Sequence, residues 1–369
     1  MKPQKKKILL ITGSMNQTTQ MHAISKYLKE FDCWFSPIFS DSSFINLIIR
    51  KTSLLSGTIL SIQRQNEAES YCTANGLQMD YRAMKNDYDL ILCCTDLILP
   101  KRVLNTRTLW VQEGMIDRFT IKSKIVQYLK LPAWACGDTS LNGAQDKCDI
   151  YCVASQGYKD YLSSMGTAAD KIIVTGIPNF DHADTFLHNS FPHHDYVMVA
   201  TSDIRETFRF ENRIAFIQKA VQIANGRRLL FKLHPNELFS RAVIEIRNHT
   251  PADTLILQEG NTGEMIANCQ ELITQYSSIV FIGMQLGKKV HSFFDLNDLR
   301  ALMPMQNYGA SAQAIANVCH NYLKLNTLSS DTFTSQREAR ISFLNRITAN
   351  MIMTFIFKLQ PLLLLIYRN

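Results

Sequence analysis

Two short stretches carry residue types suited to holding an activated phosphate. In "FKLHPNE" an apolar run ends at Lys232, and His234, Asn236 and Glu237 follow it. Pro235 disfavours helix at the preceding residue and keeps His234 extended, so an imidazole, an amide and a carboxylate leave one strand end together. A lone histidine is commonly a structural hydrogen-bonding group; with these neighbours, a ligand site is an equal reading. In "ELITQYSSIVFIGMQ" a second apolar run stops at Gln275, Tyr276, Ser277 and Ser278 before another begins. Free N–H groups and the dipole at a helix start attract anions, and two adjacent hydroxyls there fit a diphosphate. The plainer account is a serine that only caps the helix. The N-terminal "TGSMNQTTQMHAI" offers Gly13, Ser14, Gln17, Thr18 and Thr19 at a strand-to-helix turn. It has neither GxGxxG nor Walker spacing, so it reads either as an anion cradle or as an ordinary turn.

These residues need strands and helices to hold them. "KKILLITGS" reads as a strand, and "TTQMHAISKYLKEF" as a helix with apolar residues at 21, 24, 27, 28 and 31. Further strands are expected within 88–96, 107–114, 148–155 and 170–178, with helices such as "SQGYKDYLSSMG" between them. The rhythm restarts at "HDYVMVATSD", followed by the helix "FENRIAFIQKAVQIANG", closed by a glycine, and by the strand "RRLLFKLHPNE". It continues through "ADTLILQEG", "TGEMIANC", "ELITQYSS", "IVFIGMQLGK" and "KVHSFFD". Apolar runs without strict alternation, separated by helices, predict parallel sheets covered on both faces. The join falls in the Pro-, Asn- and His-containing "TGIPNFDHADTFLHNSFPHH". The expectation is therefore an α/β chain of two Rossmann-like, doubly wound parallel-sheet domains facing a central cleft. Residues 1–178 would form the first domain and 190–325 the second, with 326–369 a helical segment packing back on the first. Ligands of such sheets bind at the carboxyl ends of the strands.

Composition agrees with a packed globular chain: 46% hydrophobic and 19% charged residues in 369 exclude a disordered one and suit two domains. The net charge of +7 favours anionic partners, while the lack of a tandem aromatic-basic pattern argues against nucleic acid. Nine cysteines, an odd number without a CxxC pair, read as reduced buried thiols of a cytoplasmic protein. Cys148 and Cys152 have no second pair to complete a metal site. After the opening lysines only "ILLI" is apolar, too short for a signal peptide. No apolar run reaches the roughly 20 residues that span a bilayer. Segment 42–64 and the tail "MIMTFIFKLQPLLLLIYRN" mix apolar and basic residues. They read as core or interdomain helix, or as contacts with an anionic membrane surface.

"KLHPNE", then "LITQYSSIVFIGMQLGKKV", preceded by "KIIVTGIPNFD", resembles the two-domain GT-B group. The likeness is to CDP-glycerol glycerophosphotransferases and to the enzymes around the UDP-N-acetylglucosamine 2-epimerases. It covers about residues 107 to 320 and is specific in motif order across the second domain. The resemblance implies that His234 meets nucleotide phosphates and that Ser277 and Ser278 hold the diphosphate. Gln275 stands where the transferase motif has an acidic residue. "WVQEGMID" sits where glycerophosphotransferases carry Trp-His-Gly and is similar to the epimerase segment His-Val-Glu-Ala-Gly, which makes Glu113 the candidate general base, with Asp117 beside it. For both acids, ordinary loop solvation is the alternative. "TSDIRETFRFEN" is similar to the epimerase loop after the first strand of the second domain; it brings in Thr201 and Ser202 and makes Arg205 a phosphate or base contact. In a GT-B protein the loop of Gly13, Ser14, Gln17 and Thr18 faces the cleft on the acceptor side.

The implied activity is transfer of a sugar, or a polyol phosphate, from a nucleotide diphosphate-activated donor to a hydroxyl of a glycan, lipid-linked or cell-envelope acceptor. It would need no metal and no cofactor beyond the donor, and would act in the cytoplasm or at the inner face of the membrane. Two alternatives stand beside it. One is a nucleotide-sugar 2-epimerase or hydrolase; the other is a catalytically silent nucleotide-sugar binding or envelope-assembly protein.

Overall fold

The computed structural model describes residues 5–39, 62–100, 105–206 and 210–325. Strands β1 (Lys7–Thr12), β2 (Asp32–Pro37), β3 (Leu90–Cys93), β4 (Thr108–Val111), β5 (Ile150–Val153) and β6 (Ile172–Val174) form one parallel sheet. Its spatial order is β2-β1-β3-β4-β5-β6. A second parallel sheet holds β7 (Tyr196–Ala200), β8 (Leu229–Lys232), β9 (Leu255–Leu257), β10 (Cys269–Thr274) and β11 (Lys289–His291), in the order β11-β10-β7-β8-β9. The fold is thus the expected α/β pair of Rossmann-like domains. Helices α1 (Met15–Ser25), α2 (Ile62–Ala74), α3 (Ile121–Tyr128) and α4 (Gln156–Ser164) flank the first sheet. With the second sheet come α5 (Arg213–Ala224), α6 (Phe239–Arg247), α7 (Thr262–Asn268), α8 (Val280–Gln285) and α9 (Leu296–Ala301), before a last helix, α10 (Ser311–Leu325).

Alternate residues of the first sheet serve two cores, as pleating requires. Ile8, Leu10, Leu92 and Val111 pack with Met21 and Ile24 of α1 and with Ile315 and Cys319 of α10. Leu9, Ile11, Trp110 and Val153 face the other way, into a core that runs on through Phe180 to Met198, Leu230, Phe281 and Leu299 of the second domain. One continuous apolar core therefore joins the domains. Both faces of β3, β4, β7 and β8 are buried, which explains runs such as "LILC" without alternation.

Three elements differ from the sequence expectation. Strand β2 carries Asp32, Ser36 and Pro37 and has no apolar run to announce it; as the edge strand it tolerates a proline. The left-handed cap of α5 is Asn225, one residue before Gly226. Helix α10, which the rhythm groups with the second domain, lies on the first. Its stripe of Ala312, Ile315, Ala316, Cys319 and Leu323, at helical spacing, fits the sheet face beside α1, and Lys6 Nζ donates to Leu323 O at 2.8 Å. Segment 42–64 is described only from Ile62, where α2 begins, and 326–369 lies outside the described residues. Among the described residues, no helix is long and apolar enough to cross a membrane. The nine cysteines are free thiols, all buried except the half-buried Cys33.

The chain crosses back to the first domain over residues 302–311. Met305 N donates to Ala154 O at 2.9 Å, Asn307 Nδ2 to Thr175 O at 2.8 Å, and Ser311 N to the buried Asp181 Oδ2 at 2.8 Å. Helix α4 meets α9 so closely that a Cβ on Gly157 would lie 1.8 Å from Ala301 O. Gly157→Ala is expected to cost about 1–3 kcal/mol by forcing this seam apart. Denaturant unfolding reads the loss, and an unchanged midpoint would refute the close approach.

Candidate functional site

The carboxyl ends of β10, β7 and β8 are neighbours, so their loops form one rim. Hydrogen bonds lace the rim together. Thr201, after β7, receives the His234 N–H at 3.1 Å; that N–H also reaches Glu237 Oε2 at 3.0 Å, to which Thr201 Oγ1 donates. Ser202 N donates to Gln275 Oε1 at 3.3 Å, tying the β7 loop to the β10 loop. Asn236 Nδ2 donates to Asp203 Oδ2 at 2.8 Å. The sequence-predicted Thr201, Ser202, His234, Asn236, Glu237 and Gln275 are therefore brought together by contacts between loops far apart in the chain.

Beneath the rim lies an ionic cluster absent from the sequence expectation. Arg213, almost wholly buried in the first turn of α5, donates to Glu237 Oε1 at 2.6 Å and to Glu211 Oε1 at 3.3 Å. Gln275 Nε2 donates to the same Glu211 oxygen at 2.6 Å. One guanidinium thus anchors both the His234 loop and the Gln275 turn. Arg205, the expected phosphate or base contact, is held by carboxylates of its own domain. It makes a two-point contact with Glu245, at 2.7 and 2.8 Å, and lies 3.0 Å from Glu211. Bidentate carboxylate pairing is the strongest geometry open to a guanidinium; it holds the Glu245 carboxyl below its ordinary range and raises Arg205. Two guanidiniums face three carboxylates, so the cluster gives the rim its shape rather than a positive surface. Its signal in sequence was the alternation of arginine and glutamate through "RETFRFENR", a pattern that surface ion pairs also produce. Lys232 is likewise engaged, donating to Gln258 O at 2.6 Å, and burial lowers its pKa.

The groups left for a ligand are neutral donors. Asn236 N–H donates to His234 Nδ1 at 3.2 Å, which makes Nδ1 the acceptor and puts the proton of the neutral ring on Nε2. Asp203 Oδ2 stands 3.7 Å from the same Nδ1. At the β10 turn no side chain caps α8, so neither Ser277 nor Ser278 is spent as an N-cap. Their carbonyls accept from Val280 N and Phe281 N, and both residues are half-buried. The Ser202 hydroxyl is buried without a partner. Tyr276 is exposed and meets Phe293 and Phe294 edge-on, with centroids 5.4 Å apart in each pair, forming an aromatic flank to the turn.

The first domain supplies a second cluster at the ends of β1 and β4. Ser14 Oγ donates to Glu113 Oε1 at 2.6 Å and Gln17 Nε2 to Glu113 Oε2 at 2.5 Å. Ser14 also caps α1 by accepting from Gln17 N at 3.2 Å. A Cβ on Gly13 would lie 2.1 Å from Gln17 Oε1, so a larger residue there would push the amide off Glu113. Each Glu113 oxygen keeps a lone pair, so the carboxylate is oriented without being saturated. Thr18 turns away, donating to Ser14 O at 2.9 Å within the helix. Asp117 does not join Glu113: Oδ2 accepts from Thr139 N at 2.9 Å and Thr139 Oγ1 at 2.7 Å, pinning one surface loop to another. Among the described residues, no group of three or more His, Cys, Asp and Glu side chains is arranged to hold a metal ion.

Phe180 stands between the two clusters. Its ring lies against Gly114, next to Glu113, and meets Phe281 of α8 edge-on with centroids 6.1 Å apart. Asn179 Nδ2 donates to Glu113 O at 2.9 Å. The carboxyl ends of both sheets thus open on one cleft. No protein-family model matches the chain, and no curated protein sequence does. Solved structures do. A Listeria monocytogenes protein assigned as a UDP-N-acetylglucosamine 2-epimerase aligns at a TM-score of 0.55 and 13% identity, over 88% of this chain and 98% of that one. The Neisseria meningitidis UDP-GlcNAc 2-epimerase bound to UDP-GlcNAc aligns at 0.52 and 12%, over 85% and 100%. The fold is GT-B. The wall teichoic acid polymerase TagF aligns at 0.49 and 12%, over 88% of this chain and 90% of that one. His234, Ser277 and Ser278 follow the carboxyl ends of β8 and β10 in the second domain, and Ser14, Gln17 and Glu113 those of β1 and β4 in the first.

Proposed function

We propose that this chain is a GT-B transferase. It holds a nucleotide diphosphate-activated sugar, or polyol phosphate, in the cleft and passes that group to a hydroxyl of a glycan, lipid-linked or cell-envelope acceptor. The observation that carries this reading is the Glu113 carboxylate, oriented by Ser14 and Gln17 and separated by Phe180 from a rim of unspent donors. Glu113 takes the proton of the acceptor hydroxyl as its oxygen attacks the transferred group. The bonding pair leaves with the nucleoside diphosphate when a sugar is passed on, or with the nucleoside monophosphate when a polyol phosphate is, and its growing charge is met by His234 Nε2–H and by the hydroxyls and amides of Ser277 and Ser278. In this reading these donors do the stabilising without a resident metal, and no cofactor besides the donor takes part.

A 2-epimerase is the second reading, favoured by the same carboxylate: a base so held can take a proton from carbon as well as from oxygen. UDP-, CDP- and GDP-linked donors, tested with and without acceptor in deuterated water, separate the two. Group transfer supports the transferase, and deuterium entering C2 without acceptor supports the epimerase. Tight binding with neither outcome leaves a silent binding protein. His234→Ala removes a donor to a charged oxygen, worth about 1.5–3 kcal/mol. Nucleotide affinity measured by calorimetry should then fall about ten- to a hundredfold. A variant that binds as tightly as the parent would place the phosphate site elsewhere.

A further inference from the structure

Helix α3 follows the Glu113 loop and has its amphipathic pattern turned inside out. Its buried residues are Ser123 and Val126. At roughly 100° per residue, Ile121, Ile125 and Tyr128 fall within about 60° of one another on the opposite side. Ile121 is 77% exposed and Tyr128 87%, while Ile125, the following Leu129 and the nearby Trp134 are each about half exposed. Rotating the helix to bury them would expose Val126 and break the 2.8 Å bond between the Ser123 and Ser140 hydroxyls. A capping box between Thr120 and Ser123 fixes its start, and Lys122 ties it to Cys136 O. The outward apolar face is therefore built into the domain.

Lys122 and Lys124 flank that face on either side and Lys130 follows it. Residues 118–137 contain four basic side chains and no acidic one, and Arg118 is paired with Asp298. An apolar ridge between lysines, with tyrosine and tryptophan at its margin, is the composition of an interfacial membrane contact. The ammonium groups of Lys124 and Lys130 can reach headgroup phosphates while the ridge enters the acyl boundary. A protein partner would need a matching apolar face ringed with acid; an anionic bilayer offers both features at once.

We infer that the outward face of α3, with Leu129 and Trp134, docks this protein on an anionic lipid bilayer. The inference stands independently of the nucleotide reading, because vesicle binding and nucleotide binding are separate measurements. The full chain is floated with phosphatidylcholine vesicles, with and without phosphatidylglycerol, and Trp134 emission is followed. Binding should require phosphatidylglycerol, weaken with salt and shift the emission to the blue, with the shift lost in Trp134→Phe. Ile121→Ser/Ile125→Ser/Tyr128→Ser should weaken vesicle binding by at least about a hundredfold. Because these side chains lie outside the core, the melting temperature should not change. Lys124→Gln and Lys130→Gln should each weaken binding about fivefold, which keeps the test open if the triple variant folds poorly. Undiminished flotation of both sets of variants would overturn the proposal. So would a lipid-free dimer, seen by sedimentation, that the triple variant abolishes while vesicle binding persists.

Discussion

Arg213→Ala is expected to destabilise the second domain by about 3–5 kcal/mol, the usual cost of stranding a buried charge. Arg213 donates at 2.6 Å to Glu237 and at 3.3 Å to Glu211, and all three side chains are almost wholly buried. Without the guanidinium, two carboxylates remain with little water to replace it. The loss should reach beyond stability, because Glu237 Oε2 receives the His234 N–H and Glu211 receives Gln275 Nε2. Adding Glu237→Gln to Arg213→Met should recover part of the loss, since the stranded charge goes with it; non-additivity in that cycle measures the coupling. Urea unfolding monitored by circular dichroism gives the free energies. A cost below about 1 kcal/mol, the range of exposed pairs, would mean that the cluster is solvated.

Glu113→Gln should lower turnover of a nucleotide-linked donor by about a hundred- to ten-thousandfold, the usual contribution of a positioned general base. Donor affinity should stay near normal, because Glu113 lies across Phe180 from the rim where the phosphates are proposed to bind. The domain should stay folded, since the side chain is only half-buried. Ser14→Ala removes one of the two hydrogen bonds that orient the carboxylate, so its effect on turnover should be smaller. Product release and calorimetry on the same preparations separate the two quantities. Equal losses in binding and turnover would count against Glu113 as a base and for a role in positioning the donor.

Most of the regular structure was legible because apolar runs are local signals. β1, β3, β4, β5, β6, β7 and β8 lie inside the segments their apolar runs marked out, and β10 begins at Cys269, two residues ahead of its segment. That His234 and the Gln275–Ser278 turn would leave the same edge of one sheet was also legible, because parallel strands of one α/β unit deliver their carboxyl ends to one edge; here they follow β8 and β10, on either side of β7. Strand β2 was not, because an edge strand ending in proline carries no distinctive pattern. The partners of charged groups were hidden as well. "RETFRFENR" shows that arginines and glutamates are near one another, but not which way each points. Arg205 was expected to meet phosphate; that Glu245, on α6, holds it in the folded chain was not legible. The pairing of Asp117 with Thr139 was hidden for the same reason, a neighbour supplied by another loop. The sequence by itself determined the two α/β units, their order and the strand ends at which chemistry can sit, because hydrophobic periodicity and turn chemistry act over a few residues. Tertiary structure alone decided that Arg213 would anchor the rim, that Gln17 would reach Glu113 and that the apolar side of α3 would face outward. A helix stripe looks the same in sequence whether it faces a core or a bilayer, and an ion pair exists only once folding has chosen its partner.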